Sequence, residues 1–221
     1  MGKNEIVAKS VDHLLSILES KSNSSFIFRG VRSSEHSLVP GFFRGLNDNL
    51  KNNDIVVKFN HQHNEFVNFL KSSKYGKKYL YEYYFTGQHY GFMTKLLDFS
   101  KSYKVALAFA VYDRLYENKN EGYVGIYIVD TKKTGTINAN NNNEYNSLLL
   151  KDNSITKFID HIYIEPNTRS KRDVRKRISK QKGCFIYFKG FSNKGYNLLE
   201  YEFIKIPNRL VPNIKERLRD V

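Results

Sequence analysis

The chain has 221 residues, of which 40% are hydrophobic, and its 36 Lys and Arg against 22 Asp and Glu give a formal net charge of +14. This composition excludes a disordered chain, and the single cysteine, Cys184, excludes an intrachain disulfide and fits a reducing, cytoplasmic setting. No secretory-type leader and no run of about 20 apolar residues is visible, so we expect no membrane partner, and the basic excess favours an anionic one.

The predicted elements begin with helices. Apolar residues at helical spacing predict an amphipathic helix over residues 5–20, and a polar loop follows it. The apolar run FIF then predicts a short buried strand, with Arg29 and Gly30 directly at its end. Two further helices are predicted over residues 54–72 and 77–90.

Strands dominate the rest of the chain. Strands are predicted over residues 92–100, 123–130, 161–166, 183–188 and 197–206, and helices over residues 102–116, 170–181 and 214–218. The small side chains of Ala106, Ala108 and Ala110 would let the first of these helices lie close to a sheet. Helices come first and strands later, without regular βαβ alternation, so the sequence predicts an α+β fold.

Residues 1–221 are predicted to form a single domain, because no internal repeat and no linker divides the chain. Residues 1–24 supply its N-terminal helix and loop. The asparagine-rich segment 131–157 is low in complexity and is predicted to be a surface insertion.

Three short motifs follow one another along the chain. They are Phe28-Arg29-Gly30; His89-Tyr90-Gly91 with TKLLDFS (94–100) and ALAFA (106–110); and Gln181-Lys182-Gly183-Cys184-Phe185. In this order they resemble the FRG domain family, which is named after Phe-Arg-Gly. The departures are mild, with Lys95, Phe99 and Ser100 standing where the family has Arg, Trp and Thr.

The FRG domain is in turn distantly similar to ADP-ribosyltransferase folds. That resemblance implies a split sheet, mixed or antiparallel, with an N-terminal helical part, and NAD as the substrate. It places Arg29 on the pyrophosphate, where an arginine makes a forked, charge-assisted contact. It places His89 and Tyr90 on the nicotinamide side, and Ser100 and Asp98 where they fix Arg29 or bind the ribose.

The catalytic carboxylate is left open by the motifs. Such folds carry a Glu in Gln-x-Glu that stabilises the oxocarbenium-like centre formed as nicotinamide leaves. Here Gln181 stands in Gln-x-Gly, so Gly183 replaces that Glu. Asp98 and Glu200 are the alternatives. A site with no carboxylate would bind a nucleotide without cleaving NAD.

Several candidate residues also have a purely structural interpretation. Arg29 is either a paired strand-end arginine or a ligand-binding one, and Asp98 is either a helix cap or a catalytic group. The basic helix over residues 170–181 is either a solvated face or a strip that contacts nucleic-acid phosphates. The residues of that strip are Lys171, Arg172, Arg175, Lys176 and Arg177.

The resemblance favours an NAD-using, ADP-ribosyltransferase-like toxin or anti-phage defence effector that modifies a nucleic acid or protein. The alternative is a non-catalytic module that binds a nucleotide or nucleic acid. A third possibility is a ribonuclease-like toxin with His89 as general base. The scattered His residues predict no metal site, and the lack of GxxxxGK[ST] and GxGxxG disfavours P-loop and Rossmann sites.

Overall fold

The computed structural model describes most of the sheet and its flanking helices. The described residues are 4–23, 25–44, 91–112, 122–138, 161–165, 173–188 and 199–219, with single positions between 54 and 88. Apart from those single positions, the helices predicted over residues 54–72 and 77–90 lie outside the described residues.

The described residues form eight strands and five helices. The strands are β1 (Asn4–Val7), β2 (Phe26–Val31), β3 (Leu96–Ser100), β4 (Tyr123–Asp130), β5 (Gly135–Asn138), β6 (His161–Glu165), β7 (Gly183–Phe188) and β8 (Glu202–Pro207). The helices are α1 (Val11–Ser20), α2 (Gly41–Arg44), α3 (Tyr103–Val111), α4 (Asp173–Lys180) and α5 (Val211–Arg217). The predicted α+β class is confirmed.

The strands form one mixed sheet in the order β1-β8-β4-β2-β3-β7-β6-β5. The β1–β8 and β5–β6 pairs are parallel, and the other pairs are antiparallel. Strand β2 pairs with β4 along its whole length, from Phe26↔Asp130 to Val31↔Gly125. A single Cα pair, Phe28↔Ser100, joins β2 to β3. This seam divides the sheet into two four-stranded halves.

Both faces of the sheet are covered by apolar side chains. On one face, α1, α3 and α5 pack on Phe28 and the inner residues of β4 and β8. On the other face, Ile27 and Val31 join a second cluster with Phe42, Phe43 and residues of β3 and β7. Side chains alternate along a strand, so Arg29 lies on the same face as Ile27 and Val31.

Helix α3 lies directly against β2, and Gly30 permits this contact. A Cβ atom at Gly30 would lie 1.9 Å from the carbonyl oxygen of Ala106 and 2.9 Å from the amide nitrogen of Ala110. Ala106 and Ala110 are buried, whereas Ala108 is only partly so. The prediction that small side chains bring this helix close to the sheet is therefore confirmed for two of the three alanines.

The N-terminal prediction is wrong in part. Residues 4–7 form β1, which pairs in parallel with β8 from Asn4↔Glu202 to Val7↔Lys205, and the helix begins only at Val11. Strand β1 ends at Val7, and Ser10 caps α1, because its side chain accepts a hydrogen bond from the amide of His13 at 3.1 Å. Pairing with a distant strand here overrides a helical spacing of apolar residues.

Two further boundaries differ from prediction. The proposed insertion 131–157 begins with a 3-10 turn, Thr131–Lys133, and with β5, which pairs with β6; residues 139–160 lie outside the described part. The strand predicted over residues 197–206 begins only at Glu202. Ordered pairing thus extends into a segment whose composition predicted a loop.

Candidate functional site at the seam

A cleft of about 810 Å³ lies at the seam between β2 and β3. Its volume falls within the range of about 300–1,000 Å³ that is typical of ligand sites. It is lined by Phe28 to Val31 of β2, by Asp98 to Ser100 of β3, and by residues of α3, α4 and β7. Arg29, Asp98, Ser100 and Gln181, four of the predicted site residues, therefore line one cleft.

Arg29 bridges the two halves of the sheet. It lies within β2, opposite Tyr127 of β4, and not at the end of the strand as predicted, because Gly30 and Val31 continue the pairing with β4. Its Nη1 donates a hydrogen bond of 2.6 Å to the carbonyl oxygen of Asp98 on β3. Its Nε is buried and has no hydrogen-bond partner among the described residues.

Arg29 as a whole is half-buried, and the Nε atom of its guanidinium is inaccessible to solvent. Burial lowers the pKa of Arg29 below the usual arginine value, because the charged group loses its hydration; attraction to Asp98 offsets part of this effect, and repulsion from Arg44 adds to it. None of the ion pairs between described residues includes Arg29. The charge of Asp98 therefore compensates Arg29 only in part, without forming an ion pair with it.

The cleft is positively charged overall. Three more arginines line it, Arg32, Arg44 and Arg177, whereas its described lining includes two carboxylates, Glu35 and Asp98. Arg44 is held in place because its Nε donates to the carbonyl oxygen of Val39 at 2.8 Å. An excess of arginine in a partly enclosed site favours phosphate or carboxylate groups, which accept forked hydrogen bonds.

The main chain and the side chain of Asp98 have different surroundings. Its main-chain carbonyl accepts the hydrogen bond from Arg29, so the predicted partnership is present but does not run through the carboxylate. The side chain of Asp98 is exposed and the residue lines the cleft. No hydrogen bond or ion pair to a described residue occupies its carboxylate, which leaves that group available to a ligand.

Ser100 holds the framework of the cleft. Its Oγ donates to the carbonyl oxygen of Gln181 at 2.8 Å and accepts from the amide of Ser102 at 3.0 Å. These bonds tie β3 to the turn after α4 and to the start of α3. No bond joins Ser100 to Arg29, so the expected contact between these two residues is not made. The amide of Gln181 donates to the carbonyl oxygen of Arg177 at 3.0 Å.

Gly183 has a structural reason to be glycine. It starts β7 immediately after α4, and a Cβ there would lie 3.2 Å from Cγ2 and 3.3 Å from the carbonyl oxygen of Ile178. A glutamate at this position would press on α4. Glu200 also supplies no carboxylate to the cleft: it precedes β8, does not line the cleft, and pairs with Nζ of Lys133 at 2.6 Å.

The remaining predicted residues are only partly described. His89, Tyr90, Lys171 and Arg172 lie outside the described residues, and Arg175 lies in α4 but its side chain is not described. Lys176 and Arg177 are exposed on α4, and Arg177 lines the cleft. The basic helix therefore reaches the cleft through Arg177.

The sequence interpretation missed several cleft residues. Arg32, Glu35 and His36 belong to the loop directly after β2, and Arg44 ends α2. The signal for Arg32, Glu35 and His36 was the polar, charged run RSSEHS (32–37), one residue after the Phe-Arg-Gly motif. Phe109 was visible only as one of several apolar residues in α3, yet it is 47% exposed and lines the cleft.

The fold and the cleft define an α+β domain with a positively charged cleft in a divided sheet. Residues 24–119 match the family model described as FRG domain, and this region contains β2, β3 and α3. The match confirms the FRG domain that the motifs predicted, over these residues, which contain the first two of the three motifs. No curated protein and no solved structure matches the chain.

Two further findings concern the described residues alone. They include no helix that is both long and apolar enough to cross a bilayer. They also include no group of three or more His, Cys, Asp or Glu side chains arranged to hold a metal ion. That the whole chain forms one domain stays a prediction.

Proposed function

We propose that the protein binds NAD in the seam cleft and transfers its ADP-ribose to a macromolecule, in the manner of ADP-ribosyltransferase-like enzymes. The observation that carries this proposal is Arg29, a half-buried arginine in the cleft lining whose buried Nε has no hydrogen-bond partner and which has no ion-pair partner among the described residues. A pyrophosphate provides two negative charges and forked acceptors for such a group. A toxin or anti-phage setting is suggested by the family resemblance alone.

Asp98 is the proposed carboxylate of this reaction. The bond between ribose C1′ and the nicotinamide nitrogen breaks, and its electron pair leaves with nicotinamide. Positive charge then develops on the ribose, and a nearby carboxylate stabilises it. A nucleophile of the target forms the new bond to C1′ and releases its proton. Asp98 fits this task because its carboxylate is exposed in the cleft and Arg29 bonds to the same residue.

The proposal is tested by release of nicotinamide from NAD by the purified full chain, with and without RNA, DNA or cell lysate. We expect Asp98→Asn to lower the rate about 100-fold, since removing one group that stabilises transition-state charge typically costs about 100- to 1,000-fold. Glu200→Gln, which removes a carboxylate outside the cleft, should leave the rate unchanged. Unaltered turnover in Asp98→Asn would exclude Asp98 as that carboxylate.

The second candidate function is binding of a nucleotide or nucleic acid without catalysis. It is favoured by Gly183, which stands where a catalytic glutamate is expected, and by Arg177, which links the cleft to the exposed lysines Lys176 and Lys180. Binding of NAD without nicotinamide release under any condition would support it. The ribonuclease hypothesis depends on His89, which lies outside the described residues, and stays untested.

The nucleic-acid surface of this second candidate has its own test. The double variant Lys176→Ala/Lys180→Ala should weaken binding of RNA or DNA and reduce the dependence of log K on log salt by about 2, because each phosphate contact contributes about 1 to that slope. Lys9→Ala/Lys132→Ala is the matched control, since it removes the same charge from exposed positions elsewhere. Equal slopes in the two variants would argue against an α4 surface.

A further inference from the structure

We infer that Phe109 is a stacking residue, whose ring contacts the flat heteroaromatic ring of a nucleotide held in the cleft by Arg29. The inference rests on the proposed function insofar as the ligand is a nucleotide, but it does not require that NAD is cleaved. Phe109 would contact the ring of the ligand, whereas the arginines of the cleft would bind its anionic groups.

Phe109 does not belong to the packed face of α3. The buried residues of this helix are Tyr103, Ala106, Leu107, Ala110 and Val111. Phe109 is instead 47% exposed and lines the cleft. Apolar residues with a few convergent polar groups are typical of nucleotide and cofactor pockets. An aromatic ring left half in water at such a wall is therefore a candidate contact for an apolar part of the ligand.

The packing of α3 places Phe109 close to the strand that carries Arg29. Phe109 directly precedes Ala110, whose amide nitrogen lies only 2.9 Å from the position of a Cβ at Gly30. The neighbour of Gly30 in the chain is Arg29. The close approach of helix and strand thus brings the backbones that carry Phe109 and Arg29 together, and both residues line the cleft.

The cleft brings together both faces of the sheet. Phe28 and Ala106 belong to the helical face, whereas Arg29 lies on the opposite face with Phe85. A ligand that occupies the cleft therefore meets Phe109 towards the helical face and the guanidinium groups of Arg29 and Arg44 towards the other. A flat ring joined to phosphates has this division of apolar and anionic parts, and stacking on aromatic side chains is tolerant of the identity of the ring.

Helix α3 also supplies a matched control. Tyr112 follows the helix, is likewise 47% exposed, and does not line the cleft. The centroid of its ring instead lies 5.9 Å from Nζ of Lys215. Phe109→Ala and Tyr112→Ala therefore remove aromatic rings of equal exposure, one inside the cleft and one outside it.

The test is calorimetric titration of the full chain with NAD, ADP-ribose and inorganic pyrophosphate. We expect Phe109→Ala to weaken binding of NAD by about 10- to 100-fold, the usual effect of one aromatic stacking contact, and to leave binding of pyrophosphate unchanged. Phe109→Tyr should retain both affinities, because its ring also stacks, and Tyr112→Ala should bind like the wild type. A similar loss with ADP-ribose assigns the stacked ring to adenine, and a loss with NAD alone assigns it to nicotinamide.

Other outcomes would overturn the inference. These are wild-type affinity for NAD in Phe109→Ala, an equal loss of pyrophosphate binding, an equal loss in Tyr112→Ala, or no binding of any of these ligands by the wild type. The proposed catalysis fails separately. If Phe109→Ala weakens NAD binding but no nicotinamide is released, the stacking inference stands and the proposed catalysis fails. If NAD is cleaved but Phe109→Ala binds it with unchanged affinity, the stacking inference fails and the proposed catalysis stands.

Discussion

Arg29→Ala is expected to weaken binding of NAD and ADP-ribose to the cleft by about 100-fold or more. Truncating one member of a desolvated, hydrogen-bonded charge pair typically costs about 2–5 kcal/mol or more. Arg29 is a half-buried cation in the cleft, and the described residues leave it without an ion-pair partner. Calorimetric titration measures the change, and nicotinamide release should fall with it.

Two variants control this prediction. Arg217→Ala removes the same charge from an exposed arginine that pairs with Asp12 at 3.4 Å, away from the cleft, and should bind like the wild type. Arg29→Lys keeps the charge but loses the planar fork, so its single ammonium would have to serve both the carbonyl of Asp98 and a phosphate. We expect it to recover only part of the affinity. An equal loss in Arg217→Ala would mean that net charge, and not Arg29, governs binding.

Gly30→Ala is expected to lower the free energy of unfolding by about 3 kcal/mol, the upper part of the range for overpacked cores. The added Cβ would lie 1.9 Å from the carbonyl oxygen of Ala106, a backbone atom that can move only if α3 moves. Displacing α3 would also move Phe109, so binding of NAD should weaken together with stability. Urea denaturation measures the first effect, and titration of the folded variant measures the second.

Gly41→Ala is the matched control for Gly30→Ala. A Cβ at Gly41 would come no closer than 3.8 Å to another atom, the Cα of Met93. We therefore expect a change in the free energy of unfolding within about 1 kcal/mol, because Ala is a better helix former than Gly and meets no obstacle there. If Gly30→Ala were equally stable, α3 would not rest on β2 as described.

The local parts of the fold were predictable because strong apolar runs determine them. Strands β3, β4, β6 and β7 lie where FMTKLLDFS, YVGIYIVD, HIYIEP and GCFIYF predicted them. Strand β1 was not predictable in this way, since its residues also fit a helical period and only the pairing with β8 decides between the two. The same holds for β5, whose pairing with β6 no local pattern indicates.

The residues of the candidate site were predictable where they belong to family motifs, and not where their position depends on packing. The motifs led to Arg29, Asp98, Ser100 and Gln181, all of which line the cleft. They did not indicate that Ser100 bonds to Gln181 and to the start of α3 and makes no bond to Arg29. Whether Phe109 lines a cleft or a core depends on how α3 sits on the sheet, which composition does not reveal.

The Phe-Arg-Gly tripeptide can now be assigned residue by residue. Phe28 faces the helical layer and packs edge-on against Tyr103, with ring centroids 6.2 Å apart. Arg29 faces the opposite side and reaches across to β3. Gly30 offers no side chain and so admits the backbone of α3. One residue of the tripeptide thus packs against the helical layer, the next lines the cleft, and the third allows α3 to lie close to β2.

The single Cα pair between β2 and β3 has a mechanical consequence. Each half of the sheet has its own continuous hydrogen-bond ladder, so the seam is the line along which the sheet can hinge with the fewest broken backbone bonds. A ligand that contacts Arg29 on one half and the Asp98 side chain on the other would connect the two halves across the seam. The binding free energy of such a ligand would add to the stability of the folded sheet, and a ligand in the cleft would make the junction between the two halves more rigid.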